Sequence, residues 1–245
     1  MSTGLTFLVI EHEDTCPPAW LGEWWTERGV RLRRVPAHRH TSDAVVPDSL
    51  GDADALVVLG GEAGANDDAD YPWLPATKAL IARTVRDRRP FLGVCLGHQL
   101  ATVALGGVVG RNPGGHSTGL TPVALTQAGR GDRLLGGFEG ARTVQWNYDV
   151  ALELPSAAVV LATAPDGTPQ AVRFAPRAYG VQFHPEVSPA VFDGWTIEKP
   201  SAVAALGGGI DLAATSRAVR AAEGELRHTW KPLADRFVDL VEGSP

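Results

Sequence analysis

The sequence predicts an α/β fold with a mostly parallel central sheet flanked by helices. In the first half of the chain, short runs that are almost wholly apolar alternate with amphipathic runs. Strands buried on both faces have such continuous apolar runs, and the helices between them cover the two sides of a parallel sheet. In the second half, short β-like runs follow one another directly, which predicts a small antiparallel extension on the same domain.

The first half contains the predicted strands and helices that build the parallel part. The first two predicted helices carry prolines near their start, and the first ends at a glycine, as is typical of helix boundaries. In chain order the elements are the strand LTFLVI (5–10), the helix PPAWLGEWWTERG (17–29), the strands VRLRRV (30–35) and DALVVLGG (54–61), the helix WLPATKALIARTVRDRR (73–89), the strand PFLGVC (90–95) and the helix LGHQLATVAL (96–105).

The second half is predicted to begin with β-structure and to end in helices. The β-like runs are TVQWN (143–147), AVVLATA (158–164), QAVRFA (170–175) and AYGVQFHP (178–185). After Pro200, an Ala-rich segment (202–230) and the segment PLADRFVDLVEG (232–243) are predicted to form a linker and helices. Leu233, Phe237 and Leu240 have the spacing of a stripe that faces a core.

Composition excludes several classes of protein. The chain has 245 residues, 44% hydrophobic residues and a net charge of −6, which predicts a folded core and argues against a nucleic-acid or anionic-membrane partner. Its only cysteines, Cys16 and Cys95, are too few for a disulfide framework or a structural zinc site. There is no basic leader and no apolar run of the roughly 18–20 residues that a membrane span needs. We therefore expect a cytoplasmic protein without a metal.

The segment GVCLG (93–97) places Cys95 between a predicted strand and a predicted helix. With serine at its centre, this pattern is the nucleophile elbow, whose flanking small residues let the strand and helix backbones approach closely. At such a turn the helix N-terminus favours a thiolate, and the backbone amide of Leu96 is free to donate to an oxyanion. The alternative is a cysteine that merely packs in the core.

A cysteine nucleophile requires a histidine base and a carboxylate that orients the base. Of the seven histidines, His184 in the segment FHPE (183–186) has an acid two residues further on, at the end of a β-like run. Pro185 favours an extended backbone at His184, and residues i and i+2 of an extended chain share a face. The spacing therefore predicts that His184 and Glu186 act together as base and orienting group.

A glycine pair, Gly60-Gly61, closes the apolar run LVVLGG. Glycine allows a backbone to approach a ligand closely, so this pair is a candidate source of a second oxyanion-binding amide. In doubly wound sheets, ligands bind at the carboxyl ends of the strands. The glycine pair, Cys95 and His184 all follow predicted strands, so we expect them to meet at one edge of the sheet.

Three motifs, LVVLGG…YPWL, FLGVCLGHQLATVALGG and GVQFHPE, occur in an order and spacing that resemble class I glutamine amidotransferases. The resemblance is in particular to stand-alone proteins similar to the glutaminase domain of GMP synthase, and it covers residues 5 to 195. It implies a flavodoxin-like domain over residues 1–198, followed over 199–245 by a helical extension that packs on the domain or docks a partner.

The resemblance also implies roles for individual residues. Cys95 would be the nucleophile, His184 the base and acid, and Glu186 the orienting carboxylate, while the amides of Gly61 and Leu96 would form the oxyanion hole. Further residues implied to bind substrate are Gly60, Gln99, Asn147 and Asp149.

The implied reaction is hydrolysis of a γ-glutamyl amide, with glutamine as the expected substrate, through a Cys95 thioester. The ammonia released would pass to a separate synthase subunit, and no metal or organic cofactor is needed. Two alternatives keep the same sequence features. One is a stand-alone hydrolase or transferase of γ-glutamyl peptides or amines, and the other is a regulatory or binding module with a vestigial site.

Two positions depart from the family pattern on the side expected to face the substrate. In VQWNYDV, Asn147 stands where many relatives have histidine, and in GGHSTGLTPVALT, Thr118 stands where an acid is usual. These departures leave open a γ-glutamyl compound other than free glutamine as the natural substrate.

Overall fold

A computed structural model describes residues 4–39, 41, 44–198 and 210–243 of the chain. Within these ranges the chain forms twelve strands and seven helices. The strands are β1 (Thr6–Glu11), β2 (Arg31–Pro36), β3 (Ala55–Val58), β4 (Phe91–Val94), β5 (Val108–Arg111), β6 (Ser117–Pro122), β7 (Ala124–Leu125), β8 (Arg142–Asn147), β9 (Asp149–Glu153), β10 (Val159–Thr163), β11 (Pro169–Ala175) and β12 (Ala178–Val181). The helices are α1 (Ala19–Glu27), α2 (Leu74–Arg86), α3 (Leu96–Ala104), α4 (Gln127–Arg130), α5 (Pro189–Glu198), α6 (Leu212–Ala221) and α7 (Glu223–Glu242).

The central sheet has eight strands in the order β2-β1-β3-β4-β12-β11-β10-β7. The five strands from β2 to β12 in this order are parallel, and β11, β10 and β7 continue the sheet in antiparallel pairing. Two separate two-stranded sheets pair β5 with β9 and β6 with β8. The predicted α/β class, with its antiparallel extension, is confirmed.

The four inner parallel strands, β1, β3, β4 and β12, are buried on both faces because their side chains alternate between two cores, whereas most of the edge strand β2 is exposed or half-buried. In β1, Phe7 and Val9 belong to one apolar cluster, while Leu8 and Ile10 belong to the other. The first cluster receives side chains of α1 and α7, and the second receives those of α2 and α3. This two-sided burial explains why these strands are apolar at almost every position.

The C-terminal helices differ from the prediction in one respect. The sequence segments predicted to be separate at Pro232 form one continuous helix, α7, with Pro232 inside it. A proline in a helix interior costs about 3 kcal/mol, and here Trp230 and Leu233 on either side are fully buried and hold the helix against the core. Residues 199–209 of the predicted linker lie outside the described residues.

In the part of the chain that the structure describes, no helix is both long enough and apolar enough to cross a lipid bilayer.

Candidate active site

Cys95 occupies the turn between β4 and α3 with φ of 51° and ψ of −106°. A positive φ is uncommon for a residue other than glycine and marks local strain. The turn is so tight that a Cβ on Gly93 would lie 2.5 Å from the carbonyl oxygen of Gly97, and one on Gly97 would lie 2.0 Å from that of Val58. The two glycines therefore allow α3 to begin directly against the sheet.

His184 follows β12, which lies next to β4 in the sheet. Its backbone N–H donates to the carbonyl oxygen of Val144 at 2.9 Å, and its ring Nδ1 lies 2.8 Å from Oε1 of Glu186. Both side chains are buried. Burial opposes the charged imidazole, but the negative charges of Glu186 and Cys95 outweigh it and raise the pKa of His184 from 6.5 to about 10.

Gly60 is the point at which the candidate residues converge. A Cβ on Gly60 would lie 3.2 Å from Cε1 of His184 and 3.6 Å from Cβ of Cys95. A side chain here would occupy space between the two, so the absence of one keeps Cys95 and His184 accessible to each other. The structure thus brings Cys95, His184 and Glu186 together at the carboxyl edge of the parallel strands.

Gly61 and Leu96, the residues predicted to supply the oxyanion-binding amides, lie close to each other. A Cβ on Gly61 would lie 3.2 Å from Cδ2 of Leu96, and Gly61 lines the same cavity as Cys95. Leu96 is the first residue of α3, so its N–H has no carbonyl partner within the helix.

Gln99, Asn147 and Asp149 also line this cavity. The backbone carbonyl of Asp149 accepts hydrogen bonds from Nε2 of Gln99 at 2.8 Å and from Nδ2 of Asn147 at 3.1 Å. Among the described residues, Oδ1 of Asn147 has no hydrogen-bond partner, although the residue is only 4% exposed. Thr118 pairs with Trp146 between β6 and β8 and is not part of the cavity wall.

The sequence analysis missed several described residues of the site, and three of them lie near Cys95 or His184. Gln182 is fully buried, accepts from Nε2 of Gln99 at 3.2 Å and donates its own Nε2 to Sγ of Cys95 at 3.7 Å. Cys16 and Trp195 line the cavity, and the Trp195 ring centre lies 4.7 Å from that of His184. The position of Gln182 two residues before His184, on the same face of an extended chain, is the signal that could have identified it.

The cavity has a volume of about 640 Å³. Its described wall carries four carboxylates and one guanidinium, from Glu13, Glu62, Asp67, Asp149 and Arg111. In the described ranges, no group of three or more His, Cys, Asp or Glu side chains has the arrangement of a metal site.

Comparison with known proteins places this geometry in a family. The model of the glutamine amidotransferase class-I family matches residues 22–199. GMP synthase from Aeropyrum pernix is 34% identical over 175 residues, which cover 67% of this chain and 32% of that protein, so the match spans about a third of the relative.

Two further relatives resemble the chain over most of their own length. The glutamine amidotransferase-like protein YfeJ of Salmonella typhimurium is 31% identical over 176 residues, covering 70% of this chain and 72% of that protein. The crystal structure of a glutamine amidotransferase from Thermotoga maritima has the same fold, with a TM-score of 0.82 at 24% identity over 96% of this chain and 98% of that one. The chain belongs to the class I glutamine amidotransferase family.

Proposed function

We propose that the chain hydrolyses a γ-glutamyl amide through a thioester on Cys95. The observation that carries this proposal is the buried contact of His184 with Glu186, placed across Gly60 from a cysteine in a strained turn at a helix N-terminus. This is the arrangement of nucleophile, base and orienting group that acyl transfer requires.

In the first step, the sulfur of Cys95 attacks the γ-carbonyl carbon of the substrate. The negative charge that develops on the carbonyl oxygen is stabilised by the amides of Gly61 and Leu96. His184, held by Glu186, gives its proton to the leaving nitrogen as the carbon–nitrogen bond breaks. A water molecule activated by His184 then attacks the thioester, which releases glutamate and restores Cys95.

The same steps serve two kinds of leaving amine. If the substrate is glutamine, the amine is ammonia, which a separate synthase subunit would consume. If the substrate is a γ-glutamyl amine or peptide, the chain acts by itself. The cavity of about 640 Å³ lies within the roughly 300–1,000 Å³ typical of small-ligand sites, so it accommodates either kind of leaving amine.

The complete Cys95–His184–Glu186 constellation argues against the third possibility, a binding module with a vestigial site. Such a module would have no need to retain a buried carboxylate on its histidine, because an ionised buried pair is costly unless its partners compensate each other.

The test is release of glutamate from glutamine and from γ-glutamyl amides by the purified protein, measured beside Cys95→Ala and Cys16→Ala. We expect release by the unmodified chain, a loss of about a thousandfold or more in Cys95→Ala, and largely retained activity in Cys16→Ala. Cys16 is the matched control because it is a second buried thiol in the same cavity. Release that persists in Cys95→Ala would contradict the proposal.

A further inference from the structure

A chain of three hydrogen bonds leads from β9 to the sulfur of Cys95. It begins at the backbone carbonyl oxygen of Asp149, which accepts from Nε2 of Gln99 at 2.8 Å. Nε2 of Gln99 also donates to Oε1 of Gln182 at 3.2 Å, and Nε2 of Gln182 donates to Sγ of Cys95 at 3.7 Å. Gln182 is fully buried and Gln99 is 4% exposed, so bulk water has little access to these bonds.

The orientation of both side-chain amides is fixed by the first atom of this chain. A backbone carbonyl oxygen can only accept, so the amide nitrogen of Gln99, and not its oxygen, faces Asp149. That nitrogen carries two hydrogens, and the second one is accepted by Oε1 of Gln182. The amide of Gln182 therefore turns its oxygen towards Gln99 and its nitrogen towards Cys95.

This orientation suits a negatively charged sulfur. A hydrogen bond to a charged acceptor is stronger than one to a neutral acceptor, so the N–H of Gln182 stabilises a thiolate at Cys95 more than a thiol. A thiol would also direct its own hydrogen towards the carbonyl oxygen of Trp146, which lies 4.0 Å from Sγ. Gln182 and His184 share a face of the extended segment after β12, so this segment brings both an N–H donor and the proposed base to Cys95.

We propose that Gln182 is a further catalytic residue, which holds and stabilises the Cys95 thiolate, and that Gln99 is a positioning residue for the Gln182 amide. The inference rests on the proposed function for the role of Cys95. It also gives Gln99 a role different from the substrate contact that the sequence implies, because both N–H groups of Gln99 are committed to acceptors of the protein.

The donor acts most directly when the thioester is hydrolysed. The oxygen of water bonds to the carbonyl carbon, and a proton of the water passes to His184. The carbon–sulfur bond then breaks, and its electron pair returns to Sγ of Cys95. The N–H of Gln182 stabilises the charge that this step restores to the sulfur.

Other titratable groups surround Cys95 and stay constant in the test. His184 faces Cys95 and lies 2.8 Å from Glu186, and across Gly60 the thiol of Cys16 donates to Glu13. The other ionisable side chains of the described cavity wall are Glu62, Asp67, Tyr71, Arg111, Tyr148 and Asp149. Because the glutamine variants change none of these groups, a difference between variants reports on the amides.

The first experiment follows the alkylation of Cys95 by iodoacetamide at a series of pH values, and it needs no substrate. It uses the Cys16→Ala background, in which Cys95 is the only thiol of the chain. Gln182→Met keeps a side chain of similar length but has no N–H. The thiolate loses a donor, so the pH of half-maximal alkylation should rise by about one unit.

Gln170→Met is the matched control, because Gln170 is a second buried glutamine in a side-chain amide pair. Its Oε1 accepts from Nε2 of Gln145 at 2.6 Å, and neither residue lines the cavity around Cys95. This variant also loses a buried hydrogen bond, so urea unfolding should show a comparable loss of stability. Its alkylation profile should nevertheless match that of the background protein.

Gln99→Met tests the positioning role and leaves the donor itself in place. Without Gln99, the amide of Gln182 can turn its oxygen towards the sulfur, so part of the shift in the alkylation profile should appear. The double variant Gln99→Met/Gln182→Met should shift the profile no further than Gln182→Met alone, because two effects that pass through one group do not add.

Hydrolysis provides a second measurement. Gln182→Met should lower kcat for glutamate release about tenfold and change KM by less than about twofold, because Gln182 contacts the sulfur. A change confined to KM would contradict the proposal, since it would place the effect of Gln182 on substrate binding.

An unchanged alkylation profile in Gln182→Met, or shifts of the two single variants that add in the double variant, would overturn the inference. If Gln182→Met does not fold, Gln99→Met decides, because an unchanged profile in that variant also contradicts the proposal. The proposed function fails separately, if the unmodified chain releases no glutamate from any γ-glutamyl amide while the alkylation shift is still observed.

Discussion

His184 has a charged ring in a position that is almost free of solvent. It is 4% exposed, and Glu186 is 3% exposed. Burial alone would keep the imidazole neutral, as it does for His98, whose pKa falls to about 4 because no charged partner opposes desolvation. The comparison shows that Glu186 and Cys95, rather than the depth of the site, decide the protonation of His184.

This charge predicts how stability depends on pH. The folded-state pKa of His184 is raised, so its contribution to stability is fully present below about pH 6.5 and is lost as the pH rises through about 10. Glu186→Gln removes one of the two charges, so we expect it to lower the unfolding free energy most at pH 6 and progressively less towards pH 10. Urea unfolding of both proteins at several pH values measures this, and a constant difference across the range would contradict the assignment.

At the residue scale, the sequence predicts Cys95, His184 and Glu186 because each stands in a short motif, GVCLG or FHPE, whose pattern is typical of catalytic groups. Gln182 and Cys16 escaped prediction for a physical reason. A glutamine amide becomes informative only when its partners are known, and those of Gln182 are 83 and 87 residues away in the chain. Cys16 lies in the cavity because α1 begins where β1 ends, at the same edge of the sheet as β4.

Among the secondary-structure elements, β12 joins the two halves of the sheet. It pairs in parallel with β4 and in antiparallel with β11, and the residues after it carry His184 to the turn that holds Cys95. The position of His184 relative to Cys95 is therefore set by the register between β12 and β4, in which Val181 lies opposite Val94.

Two glycine-to-alanine changes, one at the elbow between β4 and α3 and one in α7, are expected to have opposite effects on stability. Gly97→Ala would place a Cβ 2.0 Å from the backbone carbonyl oxygen of Val58. We therefore expect the free energy of unfolding to fall by about 1–3 kcal/mol or more, and Cys95 to be displaced. Gly224→Ala, in α7, has nothing within 4 Å and should stabilise the protein by up to about 1 kcal/mol. Denaturant unfolding compares the two variants, and similar effects would show that the elbow is less tightly packed than described.

Strands and helices can be predicted where burial determines the pattern of apolar residues along the chain. The prediction fails where contacts with distant residues decide the local structure. The apolar strands β1, β3 and β4 are recognisable because both faces are covered. The strands β5 and β9 are short, pair only with each other and contain exposed side chains, so no continuous apolar run identified them. The passage of α7 through Pro232 depends on distant aromatic contacts that a local pattern does not contain.

Across the whole molecule, the C-terminal helix connects distant parts of the core. The ring of Phe237 lies 5.5 Å from that of Phe7, and Trp230 lies 4.8 Å from Phe138 and 5.0 Å from Phe183. Because Phe183 immediately precedes His184, the packing of α7 supports the strand end that carries His184. We propose that the described parts of the two regions, within residues 4–198 and 210–243, unfold together as one unit.

Truncation of one aromatic side chain tests this proposal. Trp230→Ala should destabilise the protein by about 3–5 kcal/mol in a single transition and also reduce glutamate release. Lys231→Ala is the neighbouring control, since it removes only a surface ion pair with Glu27 and should change stability by about 0–1 kcal/mol. Two separate unfolding transitions, with activity retained after the first, would instead show an independent extension.

The late position of β12 in the chain also means that the proposed site is assembled late during synthesis. The ribosome delivers Cys95 with β4 long before it delivers β12, His184 and finally α7. A nascent chain therefore carries the Cys95 thiol before its proposed base, and the two meet only when β12 pairs with β4 and α7 packs against Phe183. The proposed base therefore joins Cys95 only when the fold is almost complete, so we expect an incomplete chain to lack the proposed activity.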